Sequence, residues 1–269
     1  MPAPPGPSVF DQRVELYDAL IDWPKRLANE APFYRHWFEA VSARRVLDAA
    51  CGTGRHVAMF HDWGLEMEGA DASSAMIDWC RRRHGQTADL RWVERSYLQP
   101  TDPPGRFDAV ICVGNSLALS GEQDDLTPAL AAMLGSLRPG GACIVQVLNL
   151  WRLPDGLTQY QKCVRVRLTG QPPSHEPGPP RTETEHLLLK TVRRAGSRAF
   201  IELVDVQLLP DGTAQHEARS DSFVGLHSEE LTAAATAGGG TDVTLFGNYQ
   251  REPYAPDQSP DLILVCRKA

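Results

Sequence analysis

Apolar positions recur at two different spacings along the first 150 residues, and the two alternate. From Phe10 to Val41 the pattern is helical, with Leu16, Leu20, Trp23 and Leu27 three or four residues apart. Pro24 and Pro32 are expected to break this stretch into two or three pieces. Arg45-Val-Leu-Asp-Ala-Ala50 is a short apolar strand that runs into a glycine turn and then a helix over 55–63. A second strand (66–70) and helix (73–83) follow, with Ser73 or Asp71 as the candidate N-cap. A third strand is expected over 90–93 and a fourth over 107–113. The fourth is an almost unbroken apolar run, as in a strand covered on both faces. A helix over 123–137, stopped by Arg138-Pro-Gly-Gly141, precedes a fifth strand at 142–148.

After residue 150 the alternation stops. Four strand-like runs (163–168, 186–192, 199–208 and 214–224) follow one another with no helical pattern between them. The Pro-rich stretch 171–180 is expected to be a surface loop, and Pro210-Asp-Gly212 a hairpin turn. Residues 228–237 return to a helical pattern, and 242–246 and 261–266 read as two closing strands. The expected architecture is α/β: a Rossmann-like, mostly parallel seven-stranded sheet with helices on both faces and an antiparallel β insert after strand five. The expected divisions are a loose arm (1–9), a core with an N-terminal helical cap (10–150), the insert (151–225) and a returning tail (226–269). Ligands of such sheets sit beyond the carboxyl ends of the strands, and an insert at that point would roof the site.

Composition narrows the partners. Lys plus Arg is 27 against 34 for Asp plus Glu, a formal charge of −7 with no dense basic run, so a nucleic-acid partner is not expected. No apolar run approaches the roughly 20 residues that cross a bilayer, so neither is a membrane. The six cysteines stand singly without a CxxC pair, which suggests reduced core thiols in a cytoplasm rather than disulfides or a metal site. Oligomeric state is open between monomer and homodimer.

The densest chemical signal is Asp48-Ala-Ala-Cys-Gly-Thr-Gly54, an acid at a strand end followed by two glycines that let the backbone approach a ligand. A dinucleotide fingerprint needs a third glycine where Val57 stands, and no Gly-Lys-Ser/Thr follows for a Walker loop. Asp71 ends strand two about 20 residues on, where a carboxylate accepts both hydroxyls of a ribose. The alternative for Asp71 is a plain helix cap. Together the two signals point to an adenosine compound lacking a pyrophosphate.

With Phe107-Asp-Ala-Val-Ile-Cys-Val-Gly-Asn-Ser116 and Leu137-Arg-Pro-Gly-Gly141, these motifs resemble class I S-adenosylmethionine-dependent methyltransferases. Leu20-Ile-Asp-Trp-Pro-Lys-Arg26, Phe246-Gly-Asn-Tyr-Gln250 and Ser259-Pro-Asp-Leu-Ile-Leu264 are similar to the glycine and sarcosine N-methyltransferase branch. The resemblance implies S-adenosyl-L-methionine as cofactor, S-adenosyl-L-homocysteine as product, and a small-molecule acceptor. It places Arg26 on the methionine carboxylate, Asp48, Ala50, Gly52 and Gly54 beneath the methionine part, and Asp71 on the ribose. Ala72 and Met76 would lie against the adenine, Ser96 and Tyr97 at its edge, and Val113 and Asn115 near the methyl group and acceptor.

The departures from the branch bear on the acceptor. The branch carries an arginine just after strand five, in an Arg-Asn-Tyr triplet that grips the carboxylate of glycine. Here the triplet reads Leu148-Asn149-Leu150, so the expected acceptor is an amine or hydroxyl compound other than glycine. Leu148, Leu150 and Trp151 suggest an apolar acceptor pocket, or else they pack the insert onto the sheet. A branch tyrosine is replaced by Phe10, and Tyr17 is the nearest candidate for its hydroxyl. His227 and His56 are the candidate bases among eight histidines. A non-catalytic protein holding the same cofactor or its product on the same fold remains the alternative function.

Overall fold

The computed structural model describes residues 14–120, 125–169 and 183–269. The N-terminal arm, Phe10 and the Pro-rich stretch 171–180 lie outside the described residues. Five parallel-sheet strands alternate with helices as the periodicity predicts: β1 (Arg45–Asp48), α3 (Arg55–Asp62), β2 (Glu66–Asp71), α4 (Ser74–His84), β3 (Leu90–Glu94), β4 (Phe107–Cys112), α5 (Leu126–Ser136) and β5 (Leu137–Leu148). The tail adds α6 (Ser228–Ala237), β10 (Gly240–Phe246) and β11 (Asp261–Lys268). The seven strands are ordered β10-β11-β5-β4-β1-β2-β3, with β11 antiparallel to both of its neighbours. The order reverses at β1 and β4, so the carboxyl ends of these two strands form the crevice where such sheets bind ligands.

Two apolar layers sandwich the sheet. One, from α5, α6 and the insert, includes Leu130, Met133, Leu134, Leu231 and Leu264. The other, from α2 (Trp23–Ala40), α3 and α4, includes Phe33, Phe60, Met67, Ile77 and Trp92. Strand β4 contributes to both, with Val110 and Cys112 on one face and Ala109 and Ile111 on the other, which is why its sequence is apolar throughout.

The N-terminal segment differs from expectation in one respect. It forms α1 (Val14–Leu20) and α2 (Trp23–Ala40), and the break at residues 21–22 is set by Pro24 and by Asp22, whose side chain accepts the Lys25 N–H at 3.2 Å. Pro32 lies inside α2 and does not end it. An interior proline costs about 3 kcal/mol. The following turn buries Phe33, Tyr34 and Phe38 against Phe60 and Tyr249, an aromatic cluster large enough to offset that loss. Strand β5 also starts earlier than its pattern suggests. Leu137 already pairs with Phe107, and the Pro-Gly-Gly run is taken up as a register shift.

Residues 158–169 and 183–224 form a separate four-stranded antiparallel sheet, β6 (Thr158–Thr169), β7 (Glu183–Ala195), β8 (Arg198–Leu208) and β9 (Ala214–Val224), in sequential order. One face of it packs on the core through Val192, Ala199, Ile201 and Phe223. Further along the same face, Leu188 and Leu203 meet Leu16 and Leu20 of α1. The insert is thus held at two places.

Candidate active site

The glycine turn is built by its neighbours. Gly52 and Gly54 both adopt left-handed φ, +51° and +76°, and Gly54 starts α3. A Cβ on Gly54 would lie 2.7 Å from the Trp92 ring and 2.9 Å from Cys80 Sγ. Trp92 cannot yield easily, because its indole N–H donates to the Gly85 carbonyl at 2.7 Å. Gly54→Ala is therefore expected to cost at least about 3 kcal/mol, combining overpacking with left-handed strain. Urea unfolding should read this as a lower midpoint at unchanged slope.

Asp71 ends β2 facing this turn. One oxygen accepts the Gly52 N–H at 2.8 Å and the other accepts the Ser73 N–H at 3.0 Å. Ser73, not Asp71, caps α4, accepting from Met76 N–H at 3.3 Å. Asp48 is 1% exposed at the end of β1, and burial, with Asp71 nearby, pushes it up to about 7. Ala50 donates its N–H to Asp48 at 3.3 Å.

Arg26 reaches the same place from α2. Its Nη2 lies 3.7 Å from where a Cβ on Gly114 would stand, an ordinary contact, and the left-handed φ of +76° is what favours glycine at the end of β4. Next to it Asn115 holds a left-handed φ of +71°, takes the Leu148 N–H on Oδ1 at 2.9 Å, and thereby ties β4 to β5. Its Nδ2 is buried without a partner. An orphaned buried donor at a strand end suits a bound ligand. Tyr17 of α1 approaches from above, 3.9 Å from the position of a Gly52 Cβ. Burial raises its hydroxyl above the usual phenol range, so it stays protonated. Val113 is buried beside Asn115, its carbonyl taking the Ser116 hydroxyl at 2.8 Å.

The remaining candidates divide. Met76 is buried and Ala72 exposed at the start of α4. Ser96 organises the turn after β3, accepting the Leu98 N–H at 3.2 Å, and Tyr97 packs partly on the core. His227 is not brought to Arg26, Asp71 or Asn115. It is exposed at the N-terminus of α6, stacked on Trp151 at 3.9 Å between ring centroids. His56 is buried with Nε2 2.7 Å from Glu30, and burial lowers its basicity. Leu150 and Trp151 do not line an acceptor pocket. They are wedged under the insert, where a Cβ on Gly225 would lie 2.7 Å from Leu150 and 2.9 Å from Trp151. Leu148 is open, at 37% exposed.

Some site residues carried no local signal. Glu30 takes Arg26 Nε at 2.8 Å on one oxygen and faces His56 on the other. Burial works against its charge, yet His56 and Arg26 outweigh it and hold the carboxyl below its ordinary range. Gln146 of β5 accepts the Gly114 N–H at 2.8 Å and donates to Asp261 at 2.7 Å, and burial pushes Asp261 up to about 6.

A seven-stranded sheet of this order, with an acid–glycine turn after β1 and an acid ending β2, defines a class I S-adenosylmethionine-dependent methyltransferase fold. Comparison with known proteins agrees: the family described as methyltransferase domain matches residues 46–141. The glycine/sarcosine N-methyltransferase of Halorhodospira halochloris is 33% identical over 158 residues, 56% of this chain and 55% of that protein. Human glycine N-methyltransferase is 31% identical over 155 residues, 48% of this chain and 52% of its own. The chain thus spans about half the length of the curated relatives it matches. A sugar N-methyltransferase from Streptoalloteichus has the same fold at a TM-score of 0.72 and 21% identity, covering 96% of this chain and 92% of that one. An S-adenosylmethionine-bound amino pentose methyltransferase from Micromonospora echinaspora gives 0.70 and 22%, covering 96% and 97%. Residues 46–141 thus match a methyltransferase domain, and about half of the chain is similar to glycine/sarcosine N-methyltransferases.

Proposed function

We propose that the protein transfers the methyl group of S-adenosylmethionine to an amine or hydroxyl of a small-molecule acceptor other than glycine. The observation that carries this reading is the convergence of Arg26, the Gly52–Gly54 turn, Asp71 and the unpartnered Asn115 Nδ2 on one crevice. The cofactor, when bound, supplies an electrophilic methyl on a sulfonium. Arg26 pairs with its carboxylate, Asp71 takes the ribose hydroxyls, and Asp48, Ala50 and the glycine backbone border the methionine part. Ala72, Met76, Ser96 and Tyr97 border the adenine. Val113 walls the methyl side, while Asn115 and Tyr17 donate hydrogen bonds that fix the acceptor. Rate then comes from orientation and exclusion of water, with no protein base required for a neutral amine. His227, stacked away from the crevice, has no part in this reading.

The open Leu148 side chain stands where the branch carries its glycine-gripping arginine, which supports a different acceptor. The insert 151–225 roofs the core 10–150, and 226–269 completes the sheet. That roof favours a small acceptor over nucleic acid, in a monomer or homodimer. Among the described residues no helix is long and apolar enough to cross a membrane. The six cysteines are free thiols, five of them buried, which supports a cytoplasmic setting.

The test is calorimetric titration with S-adenosylmethionine and S-adenosylhomocysteine on wild type and Asp71→Ala. Low-micromolar binding, weakened by about 1–3 kcal/mol in the variant, is the expected result. Absence of binding by either compound would overturn the reading. Binding without methyl transfer to any amine or phenol in a metabolite pool would favour a non-catalytic cofactor-binding protein.

A further inference from the structure

Lys162 of β6, Lys190 of β7, Leu203 of β8 and Arg219 of β9 are successive cross-strand partners, so they form one row across the insert sheet. Neighbours in such a row have Cβ atoms about 5 Å apart and point to the same side. That side faces inward. On one flank of the row Val192 and Ile201 pack into the core with Leu150 and Leu226, and on the other Leu188 lies under Leu16 and Leu20. Leu203 of the row packs with Leu188 against Leu16 and Leu20, and the lysines stand beside it on that inward face.

Two adjacent lysines in such a position are unexpected on electrostatic grounds, whereas Arg219 shares its face of β9 with Glu217 and Asp221. Lys162 donates to the Leu20 carbonyl at 2.8 Å and feels the Asp22 charge at longer range, and neither lysine makes a direct ion pair among the described residues. Burial, with Lys162 and Arg26 close by, brings Lys190 down to about 8. The Arg26 charge is felt at Lys162 as well, which places both ammonium groups near the residue assigned to the cofactor carboxylate. Arg219 is ion-paired with Glu217 through Nη2, but its Nη1 is buried without a partner. Adjacent ammonium groups with no carboxylate between them in partly desolvated surroundings are costly, and an anion beside them removes the cost.

We propose that this row is the acceptor's anion site: Lys190 and Lys162, with Arg219 beyond them, bind a carboxylate or phosphate on the acceptor. The proposal rests on the methyl-transfer reading and deepens it. Strand five has lost the charge that grips glycine in the related branch, and here the acid group is held from the insert instead. The acceptor is accordingly an amine or hydroxyl compound whose acid group reaches the insert while its nucleophile lies beside Asn115.

The experiment titrates S-adenosylhomocysteine-saturated protein with inorganic phosphate and, separately, with malonate. At least one anion should bind the wild type in the millimolar range or tighter. Lys190→Met should weaken it at least 10-fold, Lys190→Arg should retain most of it, and neither should change S-adenosylhomocysteine affinity. Losing an unpaired buried charge should also raise the Tm of Lys190→Met by a few degrees. Lys162→Gln carries the same binding expectation should Lys190→Met fail to fold. Methyl transfer to phosphoethanolamine, β-alanine and ethanolamine then distinguishes phosphate from carboxylate, with the charged acceptor favoured over the neutral one in wild type but not in Lys190→Met. Failure of both anions to bind, undiminished binding to Lys190→Met and Lys162→Gln, or preference for ethanolamine would overturn the proposal. If S-adenosylhomocysteine itself does not bind, the methyl-transfer reading fails separately, and the anion titration of the free protein still reports on the row.

Discussion

Arg26→Met is expected to lower S-adenosylhomocysteine affinity by about 30- to 150-fold, the 2–3 kcal/mol of a lost charge-assisted pair with the ligand carboxylate. It is also expected to destabilise the free protein by roughly 3 kcal/mol, because Glu30 is 3% exposed and loses the cation 2.8 Å from its Oε1. These two effects have different origins and can be separated. In the double variant Arg26→Met/Glu30→Gln the buried charge is removed while the side chain can still bond His56. Its thermal stability should return most of the way to wild type, and its ligand affinity should stay low. Calorimetry and thermal unfolding on the three proteins make the check. Recovery of binding together with stability in the double variant would mean that Arg26 serves the packing of α2 and not the ligand.

The ease of reading this chain followed the sequence distance over which each interaction acts. The turn after β1 was legible because Asp48, Gly52 and Gly54 sit within one strand-to-helix corner, and Asp71 because a βαβ unit fixes its spacing. Pro32 misled because helix propensity is local, whereas what keeps α2 continuous is the burial of Phe33 and Tyr34 against Tyr249, more than 200 residues away. The Arg26–Glu30–His56 and Gly114–Gln146–Asp261 chains join α2 to α3 and β4 to the tail, so no single stretch of sequence displays them. Lys162 and Lys190 belong to strands that alternate apolar and polar residues. A lysine there is ordinarily assigned to solvent, and only the register shows that it shares the inward face with Leu188 and Val192. Leu150 and Trp151 illustrate the reverse: their apolar character was plain, but whether they faced a ligand or the insert depended on Gly225 approaching from 75 residues on.

Asp48 gives the second large effect, and its sign is opposite for stability and for binding. Its carboxyl titrates near 7 in the folded chain against an ordinary 3.8, because burial penalises the charge and Asp71 adds to it. The folded state thus keeps a proton that the unfolded chain releases above pH 4. Stability falls as pH rises from about 4 to 7 and is constant beyond, and three units correspond to roughly 4 kcal/mol at most. Asp48→Asn removes that ionisation. It should match the wild type near pH 4 and exceed it at pH 8 by up to roughly 4 kcal/mol, as read from urea midpoints at the two pH values. The same substitution should weaken S-adenosylmethionine more than S-adenosylhomocysteine, since a carboxylate at the end of β1 favours a sulfonium over a neutral thioether. Wild-type affinity for S-adenosylmethionine should therefore rise between pH 6 and 8, with a proton released on binding at pH 6. Calorimetry in buffers of different ionisation enthalpy measures that release directly. A wild type that binds both compounds without releasing a proton would place the charge of Asp48 outside the cofactor's reach, and its burial would then serve the turn alone.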